Sequence, residues 1–504
     1  MSPQRRTVQS IHTAGSDAVV RIDRQTFASL SAMLRSRYPH DEWGTLARFG
    51  WRRTPAGLVL TMASAMEPES GDMDVDVPHV RFLSPYLRRA IRDLDTHPLA
   101  LGVIHSHPEG AQTAPSWIDD DMDTYLQGLL ADFAPTRPYV SLIFAFNESL
   151  QESIGATVSA TGRVWHEGVW HSVSHFYVDG QDVALRLYAT ARPTSASLRR
   201  RVARLASAYG ETAMQRLARA TVAVVGASGT GSPVIEILAR AGVGHIITVD
   251  ADYFDESNLE RVHGSTADDA EIKPLKVAIA TRHITSISPD ARVTAIHGRV
   301  PQRRVVDALV RADAVLGCTD SHAARLALSE IAFRYSVPLL DCSVTLEGSQ
   351  GRVTGQVSRF VVHHGDAPCA ICQETVNQRL VAQELMHPDE RRQRQEAAQR
   401  TREAGGDGSG YWLDVPQLNT VGSLTTVTGA LAAEYAIGWI TRRYDAPFTR
   451  IECNWLGGAF GANDVSFQRR PSCVCGKARG WSDQAPESTL TGIPDWWPEP
   501  VLLD

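Results

Sequence analysis

The stretch Ala220-Thr221-Val222-Ala223-Val224-Val225-Gly226-Ala227-Ser228-Gly229-Thr230-Gly231-Ser232-Pro233 decides the fold of the C-terminal half. Its apolar first part predicts a strand over Ala220 to Val225, and the glycines after it predict a turn into a helix over Pro233 to Ala241. A second short apolar run, Ile246 to Asp250, predicts the next strand. Strand, glycine turn, helix and strand together form a unit of the nucleotide-binding type, in which backbone N–H groups at the helix N-terminus face a phosphate. Working outward, Glu211 to Arg219 and Lys276 to Ile284 read as helices, and Ala314 to Cys318 and Pro338 to Ser343 as strands. Such alternation implies a doubly wound, mostly parallel sheet.

A glycine motif alone does not choose the nucleotide. A dinucleotide reading places Asp250 on the ribose, whereas a P-loop is excluded because no Gly-Lys-Ser/Thr follows. Two features separate the remaining readings. Asp250-x-Asp252 runs on to Asn258-Leu259-Glu260-Arg261 and Lys273-Pro274-Leu275-Lys276, and cations there suit a triphosphate and pyrophosphate better than a nicotinamide. Asp320 closes the run Ala312-Asp313-Ala314-Val315-Leu316-Gly317-Cys318-Thr319-Asp320, at the carboxyl end of a strand, where a carboxylate beside phosphates makes sense as a magnesium ligand.

With these residues in place, residues 198 to 476 resemble the ubiquitin-activating-enzyme superfamily of the ThiF/MoeB type, whose bacterial members adenylate sulfur-carrier proteins. The resemblance implies that Gly226, Gly229 and Gly231 shape the nucleotide loop and that Asp250 holds the ribose, with Asp252 a further cofactor-binding residue. It implies that Asn258, Arg261 and Lys276 contact phosphates of ATP, that Asp320 holds magnesium, and that Arg204, or else Arg201, reaches the partner subunit's site in a homodimer. Arg261, Lys276 and Asp320 would then be the catalytic groups of adenylation.

Seven cysteines in 504 residues are too few for a disulfide scaffold, but four fall in two tight pairs, Cys369-x-x-Cys372 and Cys473-x-Cys475. A tetrahedral thiolate site for structural zinc is the expected use, clamping a crossing segment to the sheet. The segment, residues 383 to 412, is charged and ends in glycines, and reads as mobile. Superfamily members that carry a ubiquitin-like protein on their own thiol have a cysteine after the first zinc pair, and between Cys372 and Cys453 there is none. Cys318, Cys342 and Cys453 read as buried strand residues.

The N-terminal half carries a second constellation. Gly102-Val103-Ile104-His105-Ser106-His107-Pro108 is followed after seven residues by Ser116-Trp117-Ile118-Asp119. Histidines two apart at a strand end share a face, and Asp119 on the next helix supplies a third ligand while leaving one zinc position open for water. Glu42, just before the strand that starts at Gly44, is placed to act as acid and base. An alternative reading makes Ser116-x-x-Asp119 a capping box and Asp119, Asp120, Asp121 and Asp123 helix-start acids. The joint pattern resembles the JAMM (JAB, MPN+) metalloprotease motif over residues 18 to 180, a family that cleaves at the C-terminus of ubiquitin-like proteins. The resemblance implies zinc on His105, His107 and Asp119, Glu42 as acid/base and Ser116 as oxyanion stabiliser.

Length and composition frame both halves. At about 150 residues per domain, the chain predicts roughly three domains or two large ones. With 43% hydrophobic and 21% charged residues, it is neither collagenous nor globally disordered, and a net charge of -7 gives no basic field for nucleic acid. Neither a secretory signal nor an apolar run of about 18 residues is present, so the expectation is a cytoplasmic protein without membrane contact. The expected organisation is a disordered lead over 1–16, an α+β JAMM domain over 17–185, a linker over 186–200, a Rossmann-like adenylation domain over 201–480 and a Pro/Trp-rich tail over 481–504.

Both halves point to one partner, a ubiquitin-like or sulfur-carrier protein ending in glycine. ATP and magnesium would activate its C-terminus in one half, and zinc-dependent cleavage would trim or release it in the other, with a conjugating-enzyme-like acceptor downstream. Such a fusion resembles bacterial ubiquitin-like conjugation systems, some of them associated with antiphage defence. Two alternatives stand beside it: sulfur-carrier activation and trimming for cofactor or cysteine synthesis, and a non-catalytic binding module with one dead site.

Overall fold

The computed structural model describes residues 11, 13, 15, 17–37, 39–108, 113–146, 158–179, 181–182, 195–365, 367–407, 410, 420–443, 448–458, 461–485 and 493–503. Most of the expected lead over 1–16, and most of the expected linker over 186–200, lie outside them. Two compact units result: residues 1–190 with 333–337 and 477–487, and residues 191–332 with 338–476 and 488–504.

The first unit runs β1 (Ala18–Ile22), α1 (Arg24–Leu34), β2 (Gly44–Thr54), β3 (Gly57–Met66), α2 (Ser84–Leu94), β4 (Ala100–His107), α3 (Trp117–Phe133), β5 (Tyr139–Phe146), β6 (Val158–His166), β7 (Val169–Val178) and β8 (Gln181–Asp182). The strands form one sheet in the order β1-β3-β2-β4-β5-β6-β7-β8, and β1 also pairs with β7, so the sheet closes on itself. Strand alternation divides the core in two. Ala100, Ile104, Val140, Leu142 and Phe144 pack with Leu30 and Leu34 of α1. Leu101, Val103 and Tyr139, on the other face, pack with Tyr86 and Ala90 of α2 and Leu126 and Leu130 of α3. Within the same unit, the stretch around Gly480 and Ser482 runs along β2, where Gly50 N–H donates to Gly480 O and Trp51 bridges Ser482.

The second unit opens with three short helices, α4 (Ala196–Arg201), α5 (Ala203–Tyr209) and α6 (Glu211–Arg219). The winding follows: β9 (Thr221–Val225), α7 (Gly231–Ala241), β10 (His245–Asp250), α8 (Ala267–Ile272), α9 (Lys276–Ile287), β11 (Arg292–His297), α10 (Arg303–Leu309), β12 (Ala314–Gly317), α11 (His322–Tyr335) and β13 (Leu339–Ser349). The remainder is β14 (Arg352–His363), α12 (Gln378–Glu384), α13 (Pro388–Glu403), α14 (Gly422–Ile440), β15 (Arg450–Asn454), β16 (Gly461–Asp464), α15 (Val474–Lys477) and β17 (Val501–Leu503).

This sheet has the order β16-β15-β14-β13-β12-β9-β10-β11-β17. Strands β9 to β13 are parallel to one another, while β14, β15 and β16 extend one edge antiparallel and β17 pairs antiparallel with β11 at the other. The chain order reverses between β9 and β12, and the crevice beyond their carboxyl ends is where ligands bind in such sheets.

Two regions differ from the sequence expectation. The charged run read as mobile is helical in α12 and α13, because Pro388 starts α13, His387 caps it and Glu390 pairs with Arg394 one turn on. The region read as a Pro/Trp-rich tail contains β17, too short a strand to show periodicity. Among the described residues no helix is long and apolar enough to cross a membrane.

Candidate functional sites

In the first unit, β4 ends on His105 and His107, both buried, and α3 brings Asp119 to them. His105 Nε2 lies 3.0 Å from Asp119 Oδ1 and His107 Nε2 lies 3.6 Å from Asp119 Oδ2, with one ligand atom from each residue within 4.8 Å of the others. Buried imidazole and carboxylate in this arrangement suit zinc. His105 Nδ1 is buried with no hydrogen-bond partner among the described residues, an arrangement that burial alone would disfavour. Burial would raise the Asp119 carboxyl, but His105, His107 and the Ser116 N–H override it and hold the group well below the usual carboxylate range.

The two readings of Ser116-x-x-Asp119 are compatible in space. Ser116 caps α3 and its N–H donates to Asp119 Oδ2 at 2.6 Å, while Asp119 Oδ1 faces His105. The Ser116 side chain is exposed and its Oγ accepts the Asp119 N–H at 3.4 Å, a long bond that leaves the hydroxyl proton free to donate. Glu42 reaches the same place, with Oε1 3.9 Å from His107 Nε2 and Oε2 accepting the Val80 N–H at 3.3 Å. Ser106, between the two histidines, holds the Glu42 segment to β4: its N–H donates to Trp43 O at 2.8 Å and its Oγ accepts the Trp43 N–H at 3.2 Å.

Of the helix-start acids, Asp120 and Asp123 turn inward. Arg163 of β6 donates from Nη1 to Asp120 Oδ1 at 2.5 Å and from Nε to Asp123 Oδ2 at 2.7 Å, and the Tyr139 hydroxyl donates to Asp123 Oδ1 at 2.7 Å. No sequence signal near the motif pointed to Arg163, because its partners lie some forty residues away in the chain.

In the second unit the glycine loop joins β9 to α7. Gly226 has φ 95°, and a Cβ there would lie 2.5 Å from Cys318 O. At Gly231 a Cβ would lie 1.7 Å from Gly226 O, so backbone packs on backbone across the turn. At Gly229, by contrast, a Cβ would meet only the Arg261 and Thr425 side chains at 3.2 Å. Asp250 ends β10, where its Oδ2 accepts the Ala227 N–H at 2.7 Å and its Oδ1 the Asp252 N–H at 2.9 Å. Burial raises the Asp250 carboxyl, with Lys276 opposing.

The cations near this loop are held by carboxylates. Lys276, buried at the start of α9, has Nζ 2.9 Å from Asp252 Oδ2, and Arg261 Nη1 is 3.4 Å from Glu260 Oε1. Asn258 is buried in a short turn, its Oδ1 accepting the Asp255 N–H at 3.3 Å. Asp320 stands exposed after β12, and Arg204 is exposed on α5. Arg201, the alternative to Arg204, is tied down, with Nη2 3.0 Å from Ser288 Oγ.

Two residues that sequence reasoning missed support these groups. His263 Nδ1 donates to Glu236 Oε2 at 2.9 Å and its Nε2 pairs with Thr426 Oγ1 at 3.0 Å, fixing the turn that carries Arg261. Glu384 of α12 caps α11 next to Asp320, accepting from Ser321 Oγ at 2.6 Å and from the His322 and Ala323 N–H groups at 2.9 and 2.8 Å. A carboxylate suits a helix N-terminus, but one arriving from a distant segment leaves no local signature.

Cys369, Cys372, Cys473 and Cys475 converge, with Sγ atoms 3.5 Å apart for Cys369 and Cys473 and 3.9 Å apart for Cys372 and Cys475. None is in a disulfide. Hydrogen bonding from the other thiols, Cys369 foremost, pulls the Cys475 thiol down to about 5. Four converging thiols fit tetrahedral zinc, and the shorter spacing of the second pair does not prevent convergence. Cys342 and Cys453 are buried, whereas Cys318 follows β12 and is partly exposed.

The doubly wound sheet, the loop at its strand switch and the four cysteines define a class of nucleotide-binding α/β protein. The chain belongs to the ThiF family, whose model matches residues 199–474. It is 34% identical over 136 residues to the sulfur carrier protein ThiS adenylyltransferase of Escherichia coli, covering 27% of this chain and 53% of that one. It is 30% identical over 165 residues to the SAMP-activating enzyme E1 of Haloferax volcanii, covering 32% and 56%. Similarity to the adenylyltransferase and sulfurtransferase UBA4 of Meyerozyma guilliermondii is 32% over 171 residues, covering 33% and 38%. The matched parts thus span between 38% and 56% of these relatives' lengths.

Proposed function

We propose that the second unit adenylates the C-terminus of a ubiquitin-like or sulfur-carrier protein with ATP and magnesium. The observation that carries this reading is the glycine loop at the strand switch, with Gly231 packed on Gly226 and Asp250 bonded to the Ala227 N–H, in a chain of the ThiF family. The N–H groups of the loop and of the start of α7 face the phosphates, Asp250 serves the ribose, and Lys276 and Arg261 leave their carboxylate partners for phosphate oxygens. Asp320 holds magnesium. The partner's terminal carboxylate attacks the α-phosphorus, pyrophosphate leaves, and the acyl adenylate remains. Arg204 extends from α5 toward the second subunit of a homodimer.

The same proposal gives the first unit a zinc-dependent peptidase or isopeptidase activity at that partner's C-terminus. Zinc held by His105, His107 and Asp119 supplies Lewis-acid activation of water and of the scissile carbonyl. Glu42 takes the proton from the attacking water and delivers it to the leaving amine, and the Ser116 hydroxyl donates to the developing oxyanion. Support comes from the convergence of the buried triad and from Glu42 lying 3.9 Å from His107. A second zinc on the four cysteines has a structural role.

Sulfur transfer is the second reading of the adenylate's fate. It is favoured by the names of two relatives, a ThiS adenylyltransferase and an adenylyltransferase and sulfurtransferase, and by the absence of a cysteine between Cys372 and Cys453 to carry a thioester. The deciding assay is ATP–pyrophosphate exchange with a glycine-terminated ubiquitin-like protein and, separately, with a sulfur carrier. Exchange with one of them that disappears in Asp320→Ala supports the proposal. No exchange with any such partner, at protein and ATP concentrations that saturate known relatives, overturns it.

A further inference from the structure

Asp119 is the only one of the three proposed zinc ligands that comes from a helix, so its register depends on how α3 is seated. Asp120 and Asp123 lie in the first two turns of α3 and both are buried, as is Arg163. Isolated, either carboxylate would be costly in such a place, and the guanidinium answers both. Its Nη1 donates to Asp120 Oδ1 at 2.5 Å and its Nε to Asp123 Oδ2 at 2.7 Å, with Nη2 at ion-pair distance, 2.6 Å, from that same Asp123 oxygen. Behind the guanidinium lies the Trp170 ring, with Cζ 5.3 Å from its centroid.

The strand pairing explains why this arginine can reach. Arg163 pairs with Ser141 of β5, which pairs with Val103 of β4, and two residues along each strand Thr161, Ile143 and His105 form the next row. Arg163 therefore stands on the same sheet face as the zinc histidines, two strands away. From that same row, the Thr161 hydroxyl donates to Thr113 O, which fastens the chain just before Ser116. β6 thus holds both the approach to α3 and its first turns.

We propose that Arg163 is the positioning residue of the zinc triad, fixing Asp119 through its bond to the adjacent Asp120. Arg163 touches neither zinc nor substrate. Its bond to Asp120 sets the rotation of the first turn of α3, so that Asp119 Oδ1 faces His105 while Asp119 Oδ2 keeps the Ser116 N–H. The Asp123 arm, one turn further on, anchors the helix to the sheet without setting that rotation. This inference rests on the zinc reading of His105, His107 and Asp119.

The test is cobalt and zinc titration of the full chain, in the wild type and in Asp120→Asn, Asp123→Asn, Arg163→Lys and Arg163→Met. Visible d–d bands report the histidine–carboxylate site, and thiolate charge-transfer bands report the cysteine site as an internal reference. Asp120→Asn should weaken metal binding at the first site about 10- to 100-fold and shift its d–d bands. Asp123→Asn should lower Tm but change the affinity less than about threefold, within the scatter of a purely structural change. Arg163→Met should behave as Asp120→Asn, and Arg163→Lys should recover part of the affinity; if Arg163→Met does not fold, the two asparagine variants decide alone. Equal affinity loss in Asp120→Asn and Asp123→Asn, or none in either while the wild type binds, overturns the inference and leaves the zinc reading intact. A wild type that binds cobalt only through thiolates overturns both.

Discussion

The triad of the first unit and the glycine-loop site of the second solve the same problem, holding charged groups ready, in opposite ways. His105, His107 and Asp119 are buried and already converge, and the carboxylates behind them are matched by one buried arginine. In the second unit Lys276 and Arg261 rest on Asp252 and Glu260, and Asp320 stands in solvent. A metal site gains from preorganisation because its ligand set is small and fixed. On the proposed reading, a site for ATP and a protein terminus must open and refill, and cations that exchange carboxylate for phosphate partners suit that task. What is rigid in the second unit is backbone, at Gly226 and Gly231.

That contrast can be broken most directly at Gly231. Adding one methyl in Gly231→Ala forces backbone apart and should abolish ATP binding while costing more than about 2 kcal/mol of stability, read by ATP titration and thermal unfolding. A variant that binds ATP normally would show that the loop is not the rigid part. Glu42→Gln should lower peptidase turnover by about 100-fold or more without changing zinc content, measured by cleavage of a C-terminally extended partner and by elemental analysis; zinc loss instead would make Glu42 a ligand. Lys276→Met should weaken ATP binding about tenfold, the loss of one charge-assisted contact, with the first unit's zinc untouched.

The smallest effect concerns the support behind Arg261. Burial would raise Glu236, but His263, Arg240 and His283 override it and lower its carboxyl to about 2. A depressed carboxylate contributes stability that is present above its unfolded value near 4.5 and is lost as pH falls toward 2. Because its side chain is 21% exposed, solvent screening limits the contribution to about 1 kcal/mol. Glu236→Gln should therefore melt below the wild type at pH 6 and with it at pH 2. A constant gap at both values would assign the difference to packing.

Local chemistry made much of this legible. Glu211–Arg219 is a helix over the residues that the sequence marked, and the glycine turn fell between the expected strand and helix. Convergence of Cys369, Cys372, Cys473 and Cys475, and of His105, His107 and Asp119, followed from spacing that short motifs carry. What depends on distant partners was hidden. Arg163 meets acids that look like ordinary helix-start residues, and Glu384 caps a helix more than sixty residues earlier in the chain. The charge of residues 388–403 masked a helix stabilised by its own ion pairs, since high polarity reads as loop when no apolar stripe is present.

The central claim, two separate metal centres in one chain whose second unit is of the ThiF family, is tested by counting zinc per chain in the wild type and in a His105→Ala/His107→Ala double variant. The account predicts about two zincs falling to about one, with the cysteine site retained. A single zinc unaffected by the double substitution would contradict it and leave adenylation alone as the activity to pursue.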